Sequence, residues 1–155
     1  MKRINPAWLK AIQSGVNPCP YFELQSMRIA DVSWGKARLE IDLARKHLQP
    51  FGIVHGGVLS TIADAAGFWG VYSQMEPGLA MTTVELKVNF LAPTKDEGQL
   101  IAEGRCIKLG RTLGLGEATV MNSAGRVVAH ATTTLMVAPR LTLVNQDDLP
   151  PKFLD

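Results

Sequence analysis

One stretch of the sequence, "HGGVLSTIADAAGFWGVYSQ" at residues 55–74, constrains the fold more than any other. It has the length of a helix, and its apolar residues cover every face of that helix. A helix that is apolar all round is buried rather than lying on a surface. The sequence therefore predicts one long buried helix from about Gly56 to Gln74, which the "EPG" turn at residues 76–78 ends.

Strands are predicted on both sides of this helix, because β-branched and aromatic residues alternate with polar ones. Two of them precede the helix and are joined by the turn "VSWGK", and four follow it. Their predicted ranges are 21–32, 36–43, 80–92, 99–108, 112–121 and 127–137. Consecutive strands with short turns form antiparallel sheets, so this order predicts an α+β fold in which the sheet packs on one helix.

Alternation within the range 80–92 also predicts which side chains share a face of that strand. Val84, Leu86, Val88 and Phe90 stand two residues apart, and side chains at that spacing point to the same side of a strand. We therefore expect these four residues to pack together.

The two ends of the chain are predicted to lie outside this core. Asn5 and Pro6 favour the start of a short helix that ends near Gly15, and "NPCP" then forces a non-helical link. The segment after Pro139 is expected to be irregular and either mobile or draped over the surface. A length of 155 residues suits one domain, residues 1–155, with a core at about 21–138.

Composition excludes several classes of function. The net charge of +2 and the lack of a lysine or arginine cluster argue against a nucleic-acid partner. The longest apolar run holds a charge and is interrupted by glycines, so no membrane span is expected, and the first fifteen residues do not resemble a signal peptide. Cys19 and Cys106 have no metal-ligand spacing and are read as packing residues of a reduced, cytoplasmic protein, with no metal site.

Asp64 is the one charged residue in the apolar helix. Its helical neighbours at three and four residues are Ser60, Thr61, Gly67 and Phe68, so no local salt bridge compensates it. Because an unpaired buried carboxylate costs several kcal/mol, we expect a function for it, and a catalytic carboxylate in a substrate cleft fits best. The alternative is that Asp64 faces solvent or pairs with a distant arginine across an interface.

Gly56 and Gly57 open the same helix. The N–H groups of a first helical turn have no partner in the helix, and the positive end of the helix dipole lies behind them. Without Cβ atoms, these residues let a ligand oxygen approach, which suits a carbonyl oxygen that gains charge. The alternative is that "HGG" only shapes the turn into the helix.

The spacing of these two features predicts a dimer. Nine residues separate His55 from Asp64, which in a helix is a rise of roughly 13 Å and a rotation of about 180°. The helix start and the carboxylate of one chain cannot therefore meet at one small reacting group. If both act, they come from different subunits.

Three motifs carry a resemblance to a known family: "QPFGIVHGGVLSTIADAAG", "TTVELKVNFLAP" and "GRT". Over about residues 21–137 the chain resembles the hotdog-fold acyl-CoA thioesterases, most closely their phenylacetic-acid-degradation (PaaI-like) branch. The resemblance implies a long helix wrapped by a curved antiparallel sheet, and subunits that pair their sheets. It places the active sites at the interface of a homodimer. We expect such dimers to pair into a homotetramer, although the motifs leave dimer and tetramer both open.

The resemblance also implies roles for four residues of the core motif. Asp64 would be the base that activates water, or the nucleophile that attacks the thioester carbonyl. The N–H of Gly56 from the other subunit would polarise that carbonyl, and Gln49 would orient water or the substrate. His55 would hold the loop and contact the thioester, although it could equally be structural.

The remaining implied site residues contact the water or the coenzyme A moiety. Thr83 best matches the hydroxyl that positions water in the family, with Thr82 the neighbour to exclude. Gly57 would bind substrate, and Lys108 and Arg111 in "KLGRT" would hold the phosphates of coenzyme A, unless they are ordinary solvated cations. Coenzyme A is part of the substrate, so no resident cofactor is expected.

Two rival functions remain on the same scaffold. A hotdog hydratase or dehydratase also uses a histidine and an acid, but the spacing here departs from both of those patterns. A non-catalytic acyl-CoA binding module would not explain a carboxylate at the reactive end of an anionic ligand. His47 and His130 are expected to be non-catalytic.

Overall fold

A computed structural model describes residues 2–143 and 146–154. One antiparallel sheet of six strands and one long helix form most of it. The strands are β2 Met27–Ser33, β3 Lys36–Asp42, β4 Met81–Phe90, β5 Gln99–Leu109, β6 Leu113–Asn122 and β7 Val127–Val137. Their order across the sheet is β2-β3-β5-β6-β7-β4. The long helix is α3, Gly56–Tyr72. The predicted α+β arrangement is confirmed.

The sheet packs α3 against one of its faces, along β3, β5, β6, β7 and β4. The side chains of Ile62, Ala63 and Ala66 are completely buried there. Glycines on the strands let the two backbones touch, because a Cβ atom on Gly104 would collide with the carbonyl of Ala66. A Cβ atom on Gly116 would lie 2.9 Å from the carbonyl oxygen of Gly67. No room is left between the helix and the strands beside it.

The predicted N-terminal helix is present as α1, Pro6–Val16, one residue longer than expected. The Asn5 side chain accepts a hydrogen bond of 3.0 Å from the Ala7 N–H, and proline occupies the first turn. Trp8 and Ile12 bury the inner face of this helix in the core.

The prediction of a strand from Tyr21 was wrong in its first part. Residues Pro20–Gln25 form a short helix, α2, and the strand begins only at Met27. Pro20 stands at the start of α2, where its missing N–H costs nothing, and Ser26 ends it with a φ of 50°. The alternation of aromatic and polar residues suggested a strand, whereas the proline was the more informative signal.

The prediction that Val84 shares a face with Leu86, Val88 and Phe90 was also wrong. A β-bulge makes Val84 an extra residue, because Thr83 pairs with Leu135 whereas Glu85 pairs with Thr134. Val84 is therefore 53% exposed, whereas Leu86 and Val88 pack against the core. The bulge lets Thr83 and Leu86, which an unbroken alternation would place on opposite sides, both face α3.

The C-terminal tail is more ordered than predicted over its described part, and positions 144 and 145 lie outside the described residues. Phe153–Leu154 forms a short strand, β8, that pairs with β1, Arg3–Ile4. Lys152, beside it, is only 5% exposed. Its ammonium group donates to the carbonyls of Tyr72 (2.6 Å) and Met75 (2.7 Å) at the end of α3. The tail is thus draped over the surface and anchored by its lysine.

Among the described residues, no helix has both the length and the apolar character that crossing a membrane requires.

Candidate active site

Asp64 lies in the middle of α3, half-buried, and faces β4 and β7. The hydroxyl of Thr83 donates a hydrogen bond of 2.9 Å to its Oδ1 atom. A second hydroxyl, that of Thr133, lies 3.5 Å from the same oxygen. No basic side chain of the described residues forms a salt bridge with Asp64. The carboxylate is therefore held by neutral hydroxyls alone.

Burial raises the pKa of Asp64 above its ordinary value, and the hydrogen bonds from Thr83 and Thr133 lower it in opposition. A carboxylate that gains a proton more readily than free aspartate is a better base towards water. The local environment thus gives Asp64 the property that a general base needs.

Thr133 was missed by the sequence analysis. It lies on β7 between Ala131 and Leu135, both of which point into the core, and it is 2% exposed. One hydroxyl in an otherwise apolar inward-facing row was the available signal. Which helical residue it would meet depends on how β7 lies across α3, which the strand pattern does not give.

The N-terminal end of α3 begins with His55 as its cap residue. The Nδ1 atom of His55 accepts a hydrogen bond of 2.8 Å from the Gly57 N–H. This contact is local, and it engages the N–H of one of the two glycines. Among the described residues, nothing accepts a hydrogen bond from the N–H of Gly56. Gly56 is the residue that presents a donor outward.

An open groove of about 500 Å³ lies at this end of the helix. It is lined by Gln49, Gly56, Leu59 and the chain from Phe90 to Thr94. The ring of Phe90 covers Gly56 so closely that a Cβ atom there would lie 3.0 Å from it. The missing side chain of Gly56 therefore makes room for the aromatic ring.

Gln49 reaches the groove from the loop before α3. Its side-chain Oε1 atom accepts a hydrogen bond of 2.5 Å from the Phe51 N–H. The backbone N–H of Gln49 donates to the Ile53 carbonyl at 2.8 Å. The side-chain amide is thus held in place by its oxygen, and its Nε2 group has no acceptor among the described residues.

His47 and His130 have surroundings that suit structural roles. His47 is 2% exposed, and its ring bridges the loop, accepting from the Ala44 N–H at Nδ1 and lying 3.0 Å from the Gln25 carbonyl at Nε2. His130 lies on β7, 3.8 Å from a carboxylate oxygen of Glu117 on the neighbouring strand.

One chain does not bring all the predicted site residues together. Gly56 contacts Phe90 at one end of β4, whereas Asp64 contacts Thr83, seven residues earlier on that strand. The helix start and the carboxylate are therefore separate within a protomer.

Lys108 and Arg111 lie apart from both the start of α3 and the carboxylate of Asp64. Each is exposed near the turn between β5 and β6. Gly114, just after that turn, lies against Val71 near the C-terminal end of α3. Within one chain neither cation lines the groove at Gly56.

One long helix packed on an antiparallel sheet is the hotdog architecture, which solved thioesterase structures share with this chain. The model of the thioesterase superfamily matches residues 51–129, half of the chain. The chain belongs to this superfamily, and it is an enzyme that hydrolyses thioesters.

Three similar proteins support this assignment. A thioesterase family protein of Silicibacter pomeroyi is 31% identical, with a TM-score of 0.76 over 84% of this chain and 97% of its own. A hypothetical thioesterase of Streptococcus pneumoniae, solved with coenzyme A, is 28% identical, with a TM-score of 0.66 over 72% and 85%. The 1,4-dihydroxy-2-naphthoyl-CoA hydrolase of Listeria monocytogenes is 28% identical over 115 residues, 74% of this chain and 93% of that enzyme.

Proposed function

We propose that this enzyme hydrolyses aryl- or fatty-acyl-CoA thioesters at sites shared by the two subunits of a homodimer. The observation that carries the proposal is the half-buried Asp64, which has neutral hydroxyl partners and no cation among the described residues. A structural carboxylate at this depth would be expected to have a basic partner.

In the proposed reaction, Asp64 acts on water or on the thioester carbonyl. As a base it takes a proton from water, which attacks the carbonyl carbon. As a nucleophile it attacks that carbon itself, and water then releases the acid. In both cases the carbonyl oxygen gains negative charge and the thiolate of coenzyme A leaves.

The second subunit supplies the donor for that oxygen. The N–H of Gly56 of the partner subunit, with the positive end of its helix dipole behind it, would stabilise the charge. The free Nε2 group of Gln49 would orient water or substrate. His55 keeps the turn in shape through its bond to Gly57, so its proposed role is structural.

The edge of the sheet supports the proposed dimer. β4 is an edge strand, so no strand of the described residues pairs with its outer N–H and C=O groups. Val84, Phe90 and Leu91, on or beside it, are 53%, 57% and 57% exposed. An exposed apolar edge is suited to pairing with a second copy, and that pairing would bring the two α3 helices side by side.

The substrate proposal follows from the relatives. The Streptococcus thioesterase was solved with coenzyme A, and the Listeria enzyme hydrolyses an aryl-CoA. Lys108 and Arg111 are exposed cations that could contact the phosphates of coenzyme A bound across the dimer, with Gly57 near the thioester. We place the chain in the PaaI-like branch, as a cytoplasmic enzyme whose dimers pair into tetramers and which needs no metal.

Replacing the carboxylate tests the proposal. Asp64→Asn is expected to lower kcat for aryl- and fatty-acyl-CoA at least about 100-fold, the low end for a positioned acid–base group, because the amide neither accepts the proton nor attacks. Free thiol release measures the rate. Asp31→Asn, an exposed change on the opposite edge strand β2, is the control and should retain wild-type kinetics.

Wild-type kinetics in Asp64→Asn would refute the mechanism. Tight binding of acyl-CoA by a wild-type protein that turns nothing over would favour a binding module instead. Addition of water to an enoyl-CoA without thiol release would favour a hydratase.

A further inference from the structure

Thr133 has its side-chain orientation fixed by two glycines. Its Cγ2 methyl lies 2.5 Å from where a Cβ atom of Gly67 would stand, and 3.3 Å from the same position on Gly116. Any larger residue at Gly67 would push the methyl away. With the methyl seated against α3 and β6, the hydroxyl points in one direction, towards Asp64 and the backbone of β4.

That hydroxyl has two acceptors within reach. Its oxygen lies 3.5 Å from Asp64 Oδ1 and 3.4 Å from the carbonyl oxygen of Glu85, which directly follows the bulge in β4. A hydroxyl donates one proton, and an ionised carboxylate is a stronger acceptor than a peptide carbonyl. When Asp64 is ionised, the proton therefore goes to the carboxylate.

Both hydroxyls that reach Asp64 reach the same oxygen. Thr83 and Thr133 approach Oδ1 from β4 and β7, and no described residue donates to Oδ2. Rotation of the carboxylate by half a turn would exchange Oδ1 and Oδ2, and it would first have to break both of these hydrogen bonds.

We infer that Thr133 is a positioning residue for Asp64, whose hydroxyl shares with Thr83 the task of holding Oδ1, so that Oδ2 is the oxygen offered to the reacting water or thioester. The inference rests on the proposed function. It adds to that function a residue that touches neither substrate nor water.

A positioning contact of this kind has a signature that packing lacks. Hydrogen bonds to the ionised form lower the pKa of an acid, and only the hydroxyls of Thr83 and Thr133 oppose the burial that raises the pKa of Asp64. No charged group of the described residues contributes. Removing one hydroxyl must therefore raise that pKa further.

The test compares Thr133→Val, which keeps the shape and loses the hydroxyl, with Thr133→Ser, which keeps the hydroxyl. In the valine variant, the acid limb of the kcat/KM profile is expected to move to higher pH. At the plateau kcat should fall roughly three- to tenfold with little change in KM, the effect of one weak hydrogen bond to a charged group. The serine variant should stay near wild type in both.

Thr132→Val is the matched control, since it makes the same change on the opposite face of β7. Thr133→Ala is a second hydroxyl-free variant for the case in which valine impairs folding. Circular dichroism and thermal unfolding establish that each variant is folded.

A second readout does not depend on activity. Titration of the ¹³C-labelled carboxyl group of Asp64, identified by its loss in Asp64→Asn, should show a higher pKa in Thr133→Val and a value near wild type in Thr133→Ser. Coincident titrations in all three proteins would overturn the inference, as would equal rate losses in the valine and serine variants. A wild-type protein that releases no thiol would instead refute the proposed function, while the titration still reports on Thr133.

Discussion

The two ends of α3 differ in how completely their backbone groups are bonded. Every helix leaves four N–H groups and four carbonyls without partners inside the helix. At the C-terminal end all four carbonyls have a partner: Ser73 bonds Trp69 and Gly70 through its N–H and hydroxyl, Gln74 bonds Val71, and Lys152 and Met75 bond Tyr72. At the N-terminal end one N–H group has no acceptor among the residues that the structure describes.

That open group is the N–H of Gly56. The N–H of Gly57 bonds the His55 ring, and those of Val58 and Leu59 bond the His55 carbonyl. The contrast teaches that the backbone is fully hydrogen-bonded at the end of α3 that serves only stability. At the other end one N–H group is left where a ligand oxygen could accept from it.

Removing the open N–H should have the largest effect. In Gly56→Pro we expect kcat to fall about 10²- to 10³-fold, as when an oxyanion donor is lost, with the fold retained. Proline is well tolerated at the first helical position, and His55 already has the extended conformation that a residue before proline needs. Thiol release measures the loss.

Gly56→Ala is the control for this change. Both variants place a Cβ atom against the Phe90 ring, but alanine keeps the N–H, so it should lose far less activity. Equal losses would assign the effect to the ring instead. If the donor acts across the dimer, mixing Gly56→Pro with Asp64→Asn subunits should restore part of the activity, and failure after proven subunit exchange would contradict a shared site.

A change at the C-terminal end of α3 should affect the stability of the protein rather than its catalytic rate. Lys152→Met removes the ammonium and leaves the Met75 carbonyl without a donor, so we expect the free energy of unfolding to fall by about 1–3 kcal/mol with kcat of the folded enzyme unchanged. Denaturant unfolding measures it. Lys2→Met, at an exposed ion pair with Glu76, should change it by less than about 1 kcal/mol. A large loss of kcat in Lys152→Met would contradict the difference proposed between the two ends of α3.

The buried lysine should also make the stability of the protein depend on pH. Burial lowers the pKa of Lys152 from 10.5 to about 7, with Glu76 opposing the shift and Lys2 adding to it. Between these values the folded chain binds fewer protons than the unfolded chain, so stability should rise with pH from about 7 towards 10.5. The rise should be larger in wild type than in Lys152→Met, and parallel curves would show that Lys152 keeps its ordinary pKa.

The sequence predicted those parts of the molecule that local pattern controls. The long helix and the thioesterase family were predicted from periodicity and motifs and are confirmed, and so are the six strands apart from the first part of the one predicted from Tyr21. The contact between Thr83 and Asp64 matches the residue chosen by resemblance, although the catalytic roles stay predictions.

What the sequence did not predict depends on contacts between distant residues. Thr133 meets Asp64 from 69 positions away, and Lys152 meets Tyr72 from 80. No periodic sequence pattern predicts either contact, because each depends on how a strand or the tail crosses α3. The error at α2 had a different cause, because local proline chemistry outweighed an alternating pattern there.

The glycine-mediated contact between α3 and the sheet has a consequence for how such enzymes can diversify. Because the strands lie directly on α3, a side chain at Gly104 or Gly116 would push a strand away from the helix. Such enzymes can therefore diversify least at these glycine positions, where any side chain would cost folding stability.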